Sequence, residues 1–285
     1  MPADPETWET SLARSLPFLL AFGLLRSILG VRPLTRPLDY YRAVILAVAR
    51  TLLSGTPTNP CEFLRGETWV RYEGCDYLLT PDTMFGYYLH FYEPRTARLL
   101  ESLSGEVFVD VGANTGQYAV PLARKFRRVL AVEPNPIAIS VLRRNLARNE
   151  ISNVEIAQVA VMASPGHVRL FRGAFLTTWS VFQHSKDFID VDAVSLDEIL
   201  KPFGSVDLLK VDIEDAEVEA ILAATSLGKV KRISLATLAP NLPSIRRALE
   251  AQGFGLRTTP GLFGSPENYW FLANDLRNES PSLQS

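Results

Sequence analysis

The sequence predicts an α/β fold: a doubly wound, mostly parallel sheet that ends in an antiparallel hairpin and follows a helical N-terminal extension. Three observations predict it. From Glu106 onward, short apolar runs alternate with amphipathic stretches of helical period. The last two runs have no helix between them, only a Gly/Pro loop from Pro260 to Pro266, so they pair antiparallel. A glycine-bearing turn, Asp110 to Gly116, follows the first of these apolar runs directly, where a ligand-binding crevice begins in such folds.

The elements follow in order. Residues 1 to about 60 read as helical, punctuated by Pro33, Pro37, Pro57 and Pro60. Thr68 to Tyr72 and Asp76 to Leu79 form a hairpin around Glu73-Gly74, and a helix begins near Pro94, where proline costs no hydrogen bond. The main domain then reads as strand Val107–Val111, helix Gly116–Phe126, strand Val129–Val132, helix Pro136–Asn149 and strand Val154–Val161. The Ser164-Pro165-Gly166 turn leads into strand His167–Phe171, and Ser195 with Glu198 makes a capping box for a short helix. Strand Val206–Val211, helix Ala216–Leu227, strand Val230–Leu235 and helix Ser244–Gln252 come next, closed by Gly253. Phe254–Thr258 and Tyr269–Leu272 finish the sheet. The division is a helical extension with a small hairpin over 1–92, the main domain over 93–277, and a polar, frayed tail over 278–285.

Composition narrows the function classes. With 47% hydrophobic and 21% charged residues the chain is an ordinary globular one. The net charge of −2 lacks the basic surplus of duplex-binding proteins, so no nucleic-acid partner is expected. Cys61 and Cys75 have no zinc spacing and read as structural thiols of a reducing cytoplasm. The apolar stretches Ser15–Leu25 and Tyr41–Leu53 are too short to cross a bilayer, which needs ~20 residues. The plain reading is two packed helices. Arg14, Arg26, Arg32, Arg36, Arg42 and Arg50 also suit a sharper one, peripheral membrane contact by a cytoplasmic protein; self-association is a further role open to the extension.

The turn Asp110-Val111-Gly112-Ala113-Asn114-Thr115-Gly116 is not a dinucleotide fingerprint, because Asn114 replaces the middle glycine and the spacing differs. A ligand without phosphates tolerates this. S-adenosylmethionine presents an ammonium and a carboxylate, and Asp110 favours the ammonium. Gly112 permits the turn and a close ligand, and Gly116 lets the next helix start near the sheet. Glu133 ends the second strand, 17 residues after Gly116, and suits a ribose diol. Asn135 and Pro136 wall the adenine, and Gln158 to Ala160 meet its edge. S-adenosylmethionine is therefore the expected cofactor.

VFVDVGANTGQYA, AVEPNP, LRRNLARN, LDEIL and LLKVDIEDAE, in this order, resemble the FkbM-type methyltransferases from about Tyr92 to Phe271. The resemblance implies a Rossmann-like class I methyltransferase domain and O-methylation, often of sugars or polyketide-derived hydroxyls. It puts the cofactor loop on Asp110, Gly112, Ala113, Asn114 and Gly116, and the ribose acid on Glu133. It matches the family's Tyr-Glu-Pro segment to Tyr92-Glu93-Pro94, its Lys-x-Asp-x-Glu motif to Lys210, Asp212 and Glu214, and its Ser/Thr-rich segment to Thr177–Ser180. The chain departs from the family at Asp215, where glycine is usual, and at Ala236, where the fifth strand commonly ends in glutamate.

Methyl transfer to a hydroxyl requires in-line positioning and a base. Asp212, Glu214 and Lys210 alternate along one strand and share a face, and His184 lies in a nearby loop, so these four are the catalytic candidates. The two carboxylates also suit helix capping, or a divalent metal for which no further ligand is evident, so no metal site is assigned. The expected acceptor is a small molecule, a sugar or a lipid-linked glycan. A non-catalytic cofactor-binding protein and a nucleic-acid methyltransferase are the alternatives, the latter weakened by the absence of an Asn/Asp-Pro-Pro-aromatic motif after the fourth strand.

Overall fold

A computed structural model describes residues 30–56, 58–84, 94–175, 178–182, 185–213, 216–259 and 267–273. The chain divides into two compact units, Met1–Phe91 and Tyr92–Ser285.

In the first unit, β1 (Arg32–Pro33), β2 (Thr68–Tyr72) and β3 (Cys75–Leu79) form an antiparallel sheet. The hairpin lies where its turn residues place it, with Tyr72 opposite Cys75, and the Arg71–Asp76 pair at 2.5 Å spans it. α1 (Pro37–Ser54) starts on Pro37 and ends at Gly55. It buries Tyr40, Ala43, Val44, Ala47 and Thr51, a row of helical period. Among the described residues of the expected helical run through residue 60, this stretch is α-helix, and Pro60–Phe63 is a 3-10 turn capped by Asn59. Cys61 and Cys75 are buried thiols, and Cys61 Sγ accepts from the Thr83 hydroxyl at 3.4 Å.

The second unit holds a seven-stranded sheet in the order β6-β5-β4-β10-β11-β13-β12. Its strands are β4 (Gly105–Val111), β5 (Phe126–Val132), β6 (Val154–Ala157), β10 (Leu208–Val211), β11 (Arg232–Thr237), β12 (Phe254–Thr259) and β13 (Glu267–Ala273). All neighbours run parallel except β13, which pairs antiparallel with β11 and β12. The strand order reverses between β4 and β10, so the crevice opens at the carboxyl ends of those two strands. Among the described residues six helices accompany the strands: α2 (Pro94–Glu101), α3 (Ala119–Leu122), α4 (Pro136–Arg148), α5 (Leu196–Leu200), α6 (Glu217–Ala223) and α7 (Leu242–Ala251). Val109, Val111, Leu209, Val211, Ile233 and Leu235 all join one apolar core with the buried faces of α5, α6 and α7. Ser195 caps α5 in the expected capping box with Glu198.

Three expected elements differ. The helix expected over Gly116–Phe126 shrinks to α3, because Gly112, Asn114 and Gly116 all take positive φ and wind the chain as a loop, while Phe126 already pairs with Gly105 as β5. The single strand expected over Val154–Val161 is two. The chain leaves the large sheet after Ala157 and enters a small one, where β7 (Ala160–Met162) and β8 (Gly166–Phe171) flank β9 (Phe188–Ser195). Strand-forming residues on both sides of Gln158 make the two strands read as one. β9 is a strand beyond those expected; Val191 and Ala193 point inward and Asp190 and Asp192 outward, the alternation of a half-buried strand.

Candidate functional site

The crevice is built at the ends of β4, β5 and β10. The Gly112 and Ala113 amides donate to the Val132 carbonyl at 2.9 and 3.0 Å, which folds the turn after β4 over the end of β5. The Asp212 amide donates to the Val111 carbonyl at 3.0 Å and closes the other side. A Cβ at Gly112 would run into the Asp212 carbonyl oxygen. The glycine thus serves a backbone approach between two strand ends. Likewise, a Cβ at Gly116 would meet Leu142 of α4 and Val120 of α3, so this glycine makes room for helices and not for the sheet.

Glu133 is buried, and its two oxygens hold both neighbouring loops. Oε2 accepts from the Asn114 amide at 2.8 Å and Oε1 from the Asn135 amide at 2.9 Å. Burial pushes its carboxyl up to about 7, the two amides pull it down, and the charges of Asp110 and Asp212 push it up again. Asn135 caps α4 through its oxygen, which accepts from the Ile137 amide, while its buried Nδ2 has no hydrogen-bond partner. Pro136 and Ile137 are exposed in the first turn of α4, and Ile137 keeps 48% of its surface open.

Asp110 is 1% exposed, and neither carboxylate oxygen has a hydrogen-bond partner. Burial raises its carboxyl to about 6; Lys210 opposes the rise, Asp212 adds to it, and the nearby Ala119 amide eases it without completing a hydrogen bond. Lys210 stands in register between Asp110 of β4 and Ser234 of β11. Its buried ammonium donates to Asp212 Oδ2 at 2.9 Å and lies 4.9 Å from the centre of the Tyr118 ring. Asp212 itself stays 24% exposed at the side chain, the open end of this row. Asp110, Glu133, Asp212 and Lys210 thus bring three carboxylates and one cation to one crevice.

Gln158 is exposed just beyond the end of β6, next to Ala157, whose carbonyl accepts from the Glu133 amide. Ala160 does not join them: it belongs to β7, and its side chain packs with Leu170, Val191 and Ala193 of the small sheet. Glu93, His184, Glu214 and Asp215 lie outside the described residues. Ala236 is buried one residue before the end of β11. The strand runs on to Thr237, beyond the Leu235 expected, and the buried Thr237 hydroxyl has no hydrogen-bond partner. Among the described residues no cluster of histidine, cysteine, aspartate or glutamate could hold a metal ion.

Two contributors escaped the sequence reading. Asn145 is fully buried, and its Nδ2 donates to the Thr115 carbonyl at 2.8 Å, which pins the turn to α4. The signal was present: Ala138, Leu142 and Asn145 recur on the apolar stripe of α4, and a polar residue there needs a partner. Tyr118, which covers Lys210, had no comparable signal.

Residues 110–257 match the methyltransferase FkbM domain family. Methyltransferase sdnD of Sordaria araneosa is 29% identical over 194 residues, which cover 54% of this chain and 75% of the relative. A crystal structure of methyltransferase FkbM from Methylobacillus flagellatus KT aligns with a TM-score of 0.42 at 20% identity, covering 59% of this chain and 43% of that one. The M. jannaschii TYW2 structure, in complex with AdoMet, aligns with a TM-score of 0.43 at 15% identity, covering 72% of this chain and 83% of that one.

Proposed function

The chain belongs to the methyltransferase FkbM domain family, and from that premise we propose that it uses S-adenosylmethionine to methylate a hydroxyl of a small molecule, a sugar or a lipid-linked glycan. The observation that carries the cofactor reading is Asp110, a buried carboxylate with both oxygens unpartnered at the switch point of the sheet. Leaving a buried acid without donors costs several kcal/mol, on the order of 1–3 or more per unmade bond. A ligand ammonium relieves that cost. Glu133 offers each oxygen's remaining lone pair to a ribose diol, since each already accepts one amide. Pro136 and the exposed Ile137 supply an apolar wall for a base. The surplus of carboxylate charge suits a ligand with a net positive charge. The residues therefore fit the cofactor.

When bound, S-adenosylmethionine supplies a methyl group on a sulfonium, which is already a good leaving group. The chain has to position the acceptor and take its proton. Asp212 is the base we assign, because it is the crevice carboxylate whose side chain stays partly open. Lys210 fixes the Asp212 carboxylate in one orientation, and Tyr118 shields that pair from water on one side.

Calorimetric titration with S-adenosylmethionine and then with NAD tests the cofactor; heat with NAD alone would sink it. A screen of glycans, lipids and hydroxylated small molecules, read by the mass of one added methyl, tests the reaction. Binding without transfer to any acceptor would point to the non-catalytic alternative.

A further inference from the structure

The exposed face of α1 is apolar, although the opposite face already buries the helix in its unit. Leu38, Tyr41, Ile45 and Leu52 recur at helical spacing, with Leu46 and Leu53 beside them. Leu53 keeps 90% of its surface open, Leu38 86% and Ile45 66%. Ordinary surface helices place charge there. The helix carries one acid, Asp39, whose carboxylate is occupied by Arg42 at 2.8 Å and by the Arg65 amide at 2.9 Å. From Arg32 to Ser54 four arginines, Arg32, Arg36, Arg42 and Arg50, stand with one carboxylate, and Arg50, which pairs with Glu62 at 3.2 Å, keeps 60% of its side chain exposed.

We propose that this face of α1 lies in the interface of an anionic phospholipid bilayer, parallel to its surface. No described helix is long and apolar enough to cross a membrane, so α1 lies on the membrane and does not span it. Leu38, Ile45, Leu52 and Leu53 enter the acyl boundary, Tyr41 sits at headgroup level, and Arg32, Arg36 and Arg50 meet lipid phosphates. A second copy of the chain is a poorer occupant. A helix of 18 residues is ~27 Å long, and one face of it ~10 Å wide offers on the order of 300 Å². A stable dimer buries about 800 Å² on each partner. A membrane accepts a single strip of this size and responds to its charge. The proposal is independent of the cofactor reading and stands or falls without it.

The experiment is flotation of the full chain with phosphatidylcholine vesicles and with mixed phosphatidylcholine–phosphatidylglycerol vesicles, at low and high salt. The chain floats with the mixed vesicles and is partly released by salt. Ile45→Asp combined with Leu53→Asp lowers the partition coefficient about tenfold or more, and Arg50→Glu lowers it on the mixed vesicles. Both changes sit on exposed positions and leave the thermal unfolding midpoint in place, which separates lost binding from lost folding. Flotation unchanged by the double variant overturns the proposal. So does equal binding to neutral vesicles, or a dimer in sedimentation that the double variant splits.

Discussion

If Glu133 holds a ribose diol, cofactor binding must release a proton near neutral pH. The carboxyl rises from an ordinary 4.5 to about 7 in the folded chain, chiefly through burial. Between those values the folded state binds the proton and the unfolded state does not, so unliganded stability falls as pH rises through that window. At ~1.4 kcal/mol per pH unit the whole effect is about 3 kcal/mol. Two hydroxyls donating to Glu133 favour its ionised form and draw its pKa back down. Below pH 7 the ligand then displaces a proton, and affinity weakens about tenfold for each unit of acidification. Asp110, raised to about 6, adds a second proton below that point. Calorimetry with S-adenosylmethionine between about pH 6 and pH 8, in buffers of different ionisation enthalpy, counts the protons. Glu133→Gln removes the slope near pH 7 and weakens binding by roughly one to two decades, because one of the two loop amides then faces an amide donor. An affinity that is flat across the range, with heats independent of buffer, refutes both the ribose assignment and the proton accounting.

Gly112→Ala forces a side chain onto a residue with φ of 85° and against the Asp212 carbonyl; left-handed strain alone costs about 1–2 kcal/mol, and a spread crevice should cut cofactor affinity more than tenfold, read by calorimetry beside thermal unfolding. Lys210→Met strands Asp110 and Asp212 without their cation; loss of one partner from a buried pair costs roughly 3–5 kcal/mol, and methyl transfer should fall even in the fraction that stays folded. Asp197 accepts from the amides and hydroxyls of Thr225 and Ser226, which holds its carboxyl down at about 2. Its stabilising effect is therefore present above an ordinary 3.8 and lost as pH falls toward 2. Asp197→Ala should cost about 1–2 kcal/mol at neutral pH and little at low pH, in urea unfolding at both; an equal loss at both would mean the charge is irrelevant.

The parts of the fold set by local chemistry were legible in the sequence. Ser195 with Glu198 announced a helix start, the Glu73-Gly74 turn announced a hairpin in register, and the helix-free Gly/Pro stretch announced the antiparallel end of the sheet. Asp110 and Glu133 stand at the ends of β4 and β5, because apolar runs end where strands leave the core. The errors arose where long-range contacts decide. Nothing near Gly112 says that its missing Cβ makes room for a carbonyl 100 residues later. The break at Gln158-Val159 was hidden because the residues on both sides of it form strands, in different sheets. Ala160 was misplaced for the same reason.

The turn after β4 is tied at three points, and the ties are not independent. Glu133 holds the Asn114 amide, Asn145 holds the carbonyl of the very next residue, and the Asp212 carbonyl backs Gly112. Asn114, at a φ of 48°, occupies a strained conformation that persists only while its neighbours are held. Asn145→Ala leaves the Thr115 carbonyl buried without its donor, a loss of about 1–3 kcal/mol. Once that tie is gone, Asn114 has less reason to present its amide to Glu133, so a later Glu133→Gln should cost less than it does alone. A double-mutant cycle on unfolding free energy should therefore show a coupling of about 0.5–3 kcal/mol. Strict additivity would mean that the two halves of the turn are held separately. The positive-φ geometry at Asn114 would then belong to the turn's own backbone and not to the carboxylate beneath it.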